Sequence, residues 1–282
     1  MKSGFAVLIG RSNVGKSTLL NSLVGSKVAI TTPKAQTTRL PVQGIITEER
    51  GQIVFVDTPG IMQEARDPLT KRLLGFAKEA LVDVDVICYV VDPTRSLGSE
   101  EQQALQLIAG INKPKILVIN KSDEWRKPHL TTYQGLADRF DAVVELSALR
   151  GTHMKALVDF IFDHLPEGEF HYPEYQISSM PHEQWVAELI REKLFLRLKQ
   201  EVPYTTHVEV DEIREKKGGM VHISARILTS ADRYKSMIIG SGGRGVIEIG
   251  QSTRKELEGV TGKKIELQLH VEVDPHWVMR LQ

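Results

Sequence analysis

Cysteine is almost absent from this chain: Cys88 is the single one in 282 residues. One thiol excludes an internal disulfide framework and a cysteine-rich zinc site. Its place inside the apolar run 85–91 reads as a buried strand residue. The nine histidines are scattered without metal-ligand spacing. Net charge is also missing, with 36 Lys and Arg against 36 Asp and Glu. Any hold on nucleic acid must therefore come from a local patch. No apolar stretch is long enough to span a bilayer. The opening Met-Lys-Ser-Gly shows neither a signal peptide nor a basic transit segment, so a cytosolic protein is the expectation, with peripheral membrane contact left open. Internal repeats and low-complexity tracts are absent.

What remains is an ordinary globular composition, 41% hydrophobic and 26% charged. Its length suits two cores better than one. Strand-like stretches at 5–9, 42–47, 52–57, 86–91, 115–120 and 142–146 alternate with helical spacing at 17–23, 67–81, 100–111, 130–139 and 154–164. Segments 42–47 and 52–57 read as a hairpin around Glu49, Arg50 and Gly51. The alternation predicts an α/β domain over 1–168, a mostly parallel sheet with helices on both faces. A Pro- and Tyr-rich stretch over 169–181 reads as a linker. Beyond it, 182–282 reads as a small α+β domain. It opens with an amphipathic helix at 184–199, followed by strands at 207–213 and 221–228, helices flanking a glycine turn, and a last strand at 265–273.

Gly10, Arg11, Ser12, Asn13, Val14, Gly15, Lys16 and Ser17, followed by Thr18, match the phosphate-loop pattern G-x-x-x-x-G-K-S between a strand and a helix. In such a loop, backbone N–H groups and the helix N-terminus face the phosphates. Lys16 is expected to reach the β- and γ-phosphates, and Ser17 to bind Mg²⁺. Asp57, Thr58, Pro59 and Gly60 end the next buried strand. Asp57 there can hold the Mg²⁺ shell, and Gly60 can offer its N–H to the γ-phosphate. The segment 34–39 sits where a switch loop belongs, and Thr38 is favoured over Thr37 as the residue closing on Mg²⁺. Asn120, Lys121, Ser122 and Asp123 end a third apolar strand. A carboxylate at Asp123 accepts two hydrogen bonds from guanine that adenine cannot donate. Asn120 would tie this loop to the phosphate loop, and the Lys121 stem would lie on the base. Ser147, Ala148 and Leu149 follow the next strand, with the Ala148 N–H placed for guanine O6.

Four such signals, in this order and each at a strand end, resemble the translation-factor class of GTPases. The resemblance implies GTP and GDP as ligands, Mg²⁺ as cofactor, and Lys16, Thr38, Gly60 and Asn13 as the catalytic set. The residue after Gly60 is Ile61, which cannot orient a water as a glutamine would. In GTPases with a similar loop, the asparagine at the place of Asn13 helps bind K⁺. Slow intrinsic hydrolysis stimulated by K⁺ is therefore expected.

In the second domain, Gly240, Ser241, Gly242 and Gly243 form a G-x-x-G turn between helical stretches. Such a turn lets a single-stranded nucleic-acid backbone approach closely, as in KH domains. Between 233 and 264 there are seven basic residues against three acidic ones, so a basic face is expected. Lys235, Arg244 and Arg254 join the turn as candidate RNA contacts.

Taken together with 34–39, Ile190 to Lys193, Glu201 to Tyr204 and Glu248 to Gly250, the whole chain resembles the Era family, bacterial GTPases carrying a type II KH domain. That resemblance implies binding to 16S rRNA near its 3′ end, a role in small ribosomal subunit assembly, peripheral association with the membrane, and a monomer. Two departures stand out. Ser12 replaces the proline usual in the family, expected to alter loop stiffness and not the ligands. Ser241 and Gly242 lack the lysine common in the turn, which should weaken phosphate contact. The alternative reading is a GTPase whose C-terminal domain docks a protein or membrane.

Overall fold

The computed structural model describes residues 1–62, 67–216 and 218–281. The chain divides into two compact units, Met1–Thr31 with Thr38–Ser179, and Thr32–Thr37 with Met180–Gln282.

The first unit holds β1 (Lys2–Ile9), α1 (Lys16–Val24), β2 (Val42–Glu48), β3 (Gly51–Asp57), α2 (Pro68–Glu79), β4 (Val86–Val91), α3 (Ser99–Ala109), β5 (Lys115–Ile119), α4 (Leu130–Gln134), β6 (Ala142–Glu145) and α5 (Met154–His164). Its six-stranded sheet runs β2-β3-β1-β4-β5-β6. Every pairing is parallel except the β2–β3 hairpin. Strands covered on both faces have no solvent side to satisfy, which is why β3 and β4 are buried at every position. On one face Val7, Ile9, Ile87 and Tyr89 pack with Ala77 and Leu81, and with Ala104, Leu105 and Ile108 of α3. Cys88 is wholly buried in β4, and burial pushes its thiol pKa up, so it stays protonated and inert.

Helix starts follow local chemistry. Asp67 caps α2 by accepting from the Thr70 N–H at 2.9 Å, with Pro68 at the first helical position. One expected helix is shorter than its spacing implied. The stretch 130–139 breaks at Gly135, and Ala137–Arg139 tightens into a separate 3₁₀ turn. Tyr133 of α4 is fully enclosed, and Phe140, just past the 3₁₀ turn, stacks on Tyr89 at 5.7 Å. The stretch after α5 lies against the β2–β3 hairpin. Ile45 N–H donates to Ile177 O at 2.9 Å, and the Gln52 side-chain amide exchanges two hydrogen bonds with the Tyr172 backbone. Those bonds cover an edge strand that would otherwise stay open.

The second unit contains α6 (His182–Arg197), β7 (Thr206–Glu215), β8 (Val221–Thr229), α7 (Asp232–Ile239), α8 (Arg244–Thr261) and β9 (Ile265–Val273). Its sheet runs β7-β8-β9, with β7–β8 antiparallel and β8–β9 parallel. β7 extends past the expected 207–213, because a bulge between Val210 and Glu212 restores its register with β8. Within this unit, Lys34 Nζ donates to the carbonyls of Phe195 and Leu198 at the C-terminal end of α6, and buried Arg191 donates to Thr37 O. A cation at a helix C-terminus is favoured there by the helix dipole.

Candidate nucleotide site and glycine-turn groove

Parallel pairing of β3, β1, β4, β5 and β6 puts all their C-terminal ends along one sheet edge, where ligands of open α/β sheets bind. The phosphate-loop residues follow β1, Asp57 ends β3, and the loops of Asn120 and Ser147 follow β5 and β6.

Three side chains proposed from sequence for a metal converge here. Ser17 Oγ donates to Asp57 Oδ2 at 2.5 Å and lies 2.8 Å from Thr38 Oγ1, which is itself 3.3 Å from Asp57 Oδ2. Asp57 is fully buried, and its other oxygen, Oδ1, has no hydrogen-bond partner among the described residues. Two hydroxyls and a carboxylate with a spare buried oxygen form a hard-oxygen donor set that fits Mg²⁺. Lys16 is 6% exposed, and its Nζ donates to Gly10 O at 3.2 Å and Arg11 O at 3.1 Å. Burial lowers the Lys16 pKa, with Asp57 opposing. Burial raises the Asp57 pKa, opposed by Lys16, Ser17 and Thr38.

The loops after β5 and β6 are braced as expected in one respect. Asn120 Nδ2 donates to Val14 O at 2.8 Å, tying this loop to the phosphate loop. A second brace was not legible in sequence: the Ala148 N–H, expected to face guanine O6, donates to Asn120 Oδ1 at 2.9 Å. Ser147 Oγ donates to Asp123 Oδ1, and Lys121 Nζ pairs with buried Asp92 at 2.5 Å. Asp92 follows β4, whose end carried no motif. Ser122 N–H donates to Leu146 O, and Leu149 is 72% exposed.

The phosphate loop is fixed from outside by groups that sequence reasoning missed. Arg11 pairs with Glu101 at 2.7 Å and Glu100 at 2.9 Å, and Arg95 Nη1 reaches Ser12 O at 3.2 Å. Asn13 takes a left-handed φ of 65°, a conformation asparagine tolerates better than most residues. Thr58 Oγ1 donates to Leu8 O at 2.8 Å, holding the turn through Pro59 to Gly60. Gly60 sits so close to the loop that a Cβ would lie 2.6 Å from Ser12 Cα. Ile61 is 1% exposed and packs in the core, so its side chain is turned away from this site.

In the second unit, Gly240, Gly242 and Gly243 all have positive φ, which side chains disfavour. The turn feeds α8, and beside it Val246, Ile247, Gly250, Gln251, Arg254, Leu267 and Leu269 line a groove of about 320 Å³. Arg244 Nε reaches back to Ser241 O at 3.3 Å. The three acidic residues of this stretch are engaged: Glu248 with Arg197, Glu256 with Lys193, and Glu258 with the Ile265 N–H. Lys235 and Arg254 have no carboxylate partner among the described residues, so the basic excess stands open.

Comparison with known proteins places this geometry. A family described as a 50S ribosome-binding GTPase matches residues 5–121, and a KH domain family matches residues 201–278. GTPase Era of Halothermothrix orenii is 42% identical over 278 residues, 98% of this chain and 94% of that protein. The chain belongs to the Era family of GTPases. GTPase Era of Sinorhizobium medicae is 39% identical over 279 residues, 98% of this chain and 90% of that protein. Among solved structures, Era of Aquifex aeolicus bound to GDP·AlF4⁻ superposes with a TM-score of 0.93 at 37% identity, covering 100% of this chain and 97% of that one. An Era in complex with MgGDPNP and nucleotides 1506–1542 of 16S rRNA superposes equally well, at 37% identity over 100% and 96% of the two chains. GTP hydrolysis is thus the activity of this Era-family chain.

Asp57 gives a test in the ligand-free protein. Its raised pKa means the folded state holds a proton that the unfolded state has already lost. Stability should therefore fall as pH rises from the ordinary carboxylate range up through the raised value. Denaturation at a series of pH values should show that decline, and Asp57→Asn should flatten it.

Proposed function

We propose that this Era-family GTPase binds 16S rRNA near its 3′ end and assists assembly of the small ribosomal subunit, with its hold on RNA set by the bound nucleotide. One observation carries the RNA reading: along α8, which the left-handed glycine turn Gly240, Ser241, Gly242 and Gly243 feeds, a groove joins apolar walls to Arg254, which has no carboxylate partner among the described residues. Bases stack on such walls while the turn and the cations meet phosphates. An Era of the same fold is known in complex with a 16S rRNA fragment. The basic residues engaged are Lys235, Arg244 and Arg254.

In the nucleotide site, guanine would be read by Asp123, and the phosphates would be held by the loop from Gly10 to Thr18 with Lys16. Mg²⁺ would be held by Ser17 and Thr38, with Asp57 behind them. When bound, the ion neutralises phosphate charge and orients the terminal group. Lys16 would then leave the carbonyls of Gly10 and Arg11 for the phosphates. Thr38 supplies the switch: its hydroxyl sits at Asp57 and Ser17, and closes on the metal when the γ-phosphate is present. Hydrolysis is slow without help, since Ile61 carries no polar group, and Asn13 supports K⁺ as the aid. A monomer in the cytoplasm, with peripheral contact at the membrane, belongs to the same reading and rests on family resemblance.

Two outcomes follow. A short RNA of the 16S 3′ end should bind more tightly with a GTP analogue than with GDP, and binding should weaken steeply with salt. Gly242→Asp adds a negative charge where nothing lies within 4 Å of a Cβ; the left-handed φ of 60° is one that aspartate adopts at a modest cost, so thermal melting should show a small loss of stability with the fold retained, while RNA affinity falls about tenfold or more. Loss of nucleotide dependence would remove the switch, and absence of RNA binding in every state would favour a protein or membrane ligand. Separately, single-turnover hydrolysis should run several-fold faster in K⁺ than in Na⁺, and equal rates would remove the role of Asn13.

A further inference from the structure

We propose that the Ser12 hydroxyl reads the third phosphate of the nucleotide, donating a hydrogen bond to a γ-phosphate oxygen that GTP brings and GDP lacks. Ser12 is 8% exposed, and its Oγ is buried without a hydrogen-bond partner among the described residues. A buried hydroxyl left unpaired is costly, and native proteins keep few of them. Here the loop pins it in place. Arg95 Nη1 holds the Ser12 carbonyl at 3.2 Å, and the Ile61 N–H donates to Gly10 O at 3.0 Å, which clamps the loop against the turn carrying Gly60.

The hydroxyl is aimed at that turn. A Cβ built on Gly60 would lie 2.5 Å from Ser12 Oγ and 2.7 Å from Ser12 N. Gly60 is the residue whose N–H is assigned to the γ-phosphate, and Lys16 Nζ lies against the neighbouring carbonyls of Gly10 and Arg11. Gly60 packs on the hydroxyl, so the turn must shift as its N–H takes the terminal phosphate; the phosphate held by Lys16 and Gly60 would then give the uncovered hydroxyl a charged acceptor, the stronger kind of hydrogen bond. The α- and β-phosphates are met by backbone N–H groups farther along the loop, so a diphosphate leaves Ser12 unpaired. Ile61, the next residue, is buried and offers no polar side-chain group there, while the Ser17, Thr38 and Thr58 hydroxyls are engaged with Asp57 and Leu8 O. The departure at position 12 thus changes a phosphate ligand as well as the stiffness of the loop.

The test is Ser12→Ala in the full chain, with affinities for GDP, a non-hydrolysable GTP analogue and GDP·AlF4⁻ measured in Mg²⁺, and thermal melting of the ligand-free protein alongside. The variant should bind GDP within about twofold of wild type. It should bind the GTP analogue and GDP·AlF4⁻ about tenfold more weakly, a change of about 1.4 kcal/mol. Its melting temperature should be unchanged or higher, because the removed hydroxyl had no partner. An unchanged ratio of analogue to GDP affinity would overturn the proposal. So would an equal loss for all three ligands with a lower melting temperature, which would make Ser12 a packing residue only. Wild-type protein that failed to bind GDP would instead overturn the phosphate-loop reading on which this proposal rests.

Discussion

The burial of Lys16 and Asp57 at the sheet edge is the constraint on which the nucleotide site depends. Both are removed from solvent, and burial pushes each pKa toward the neutral form. Buried charge is expensive unless it is paired and hydrogen-bonded. In the ligand-free protein the balance is partial. Lys16 leans on two backbone carbonyls, and one Asp57 oxygen has no partner among the described residues. In the proposed complex, phosphate oxygens would complete Lys16 and a divalent cation Asp57, a charged pair of ligands for a charged pair of side chains.

Everything else holds those two groups still. The parallel sheet sets Asp57 beside the end of β1, Glu100 and Glu101 of α3 and Arg95 of the loop after β4 pin the phosphate loop, and Asn120 joins the loops after β5 and β6 to each other and to Val14. The second unit follows the same logic with opposite parts. Its acidic residues near α8 are tied up in pairs with Arg197 and Lys193 and with a backbone amide, which leaves the cations along the glycine turn turned outward.

β3 and β4 were legible in the sequence because burial on both faces leaves a continuous apolar run, and the closing strand β9 because apolar Leu267, Leu269, Val271 and Val273 alternate with polar residues. The convergence of Ser17, Thr38 and Asp57 was also readable, since motif spacing fixes which strand ends they occupy. Illegible features share one cause: they arise from contacts distant in sequence. Glu101 and Arg95 carry no motif, yet they position the phosphate loop. Phe140, just past the end of α4 and its 3₁₀ turn, stacks on Tyr89, a strand residue far off in sequence. The stretch over 169–181 has linker composition, yet Tyr172 and Ile177 bond to the hairpin. The Ser12 hydroxyl looked neutral until Gly60 was seen packed on it.

The central claim is that nucleotide and Mg²⁺ complete a set of buried charges that the protein alone leaves unfinished. A crystal structure with Mg²⁺ and a non-hydrolysable GTP analogue tests it most directly. The account predicts that Lys16 Nζ will have left Gly10 O and Arg11 O for the phosphates, and that the Ser17 and Thr38 hydroxyls will have turned from Asp57 to the metal. A nucleotide bound with Lys16 still on those carbonyls, and with Ser17 and Thr38 still on Asp57, would contradict it.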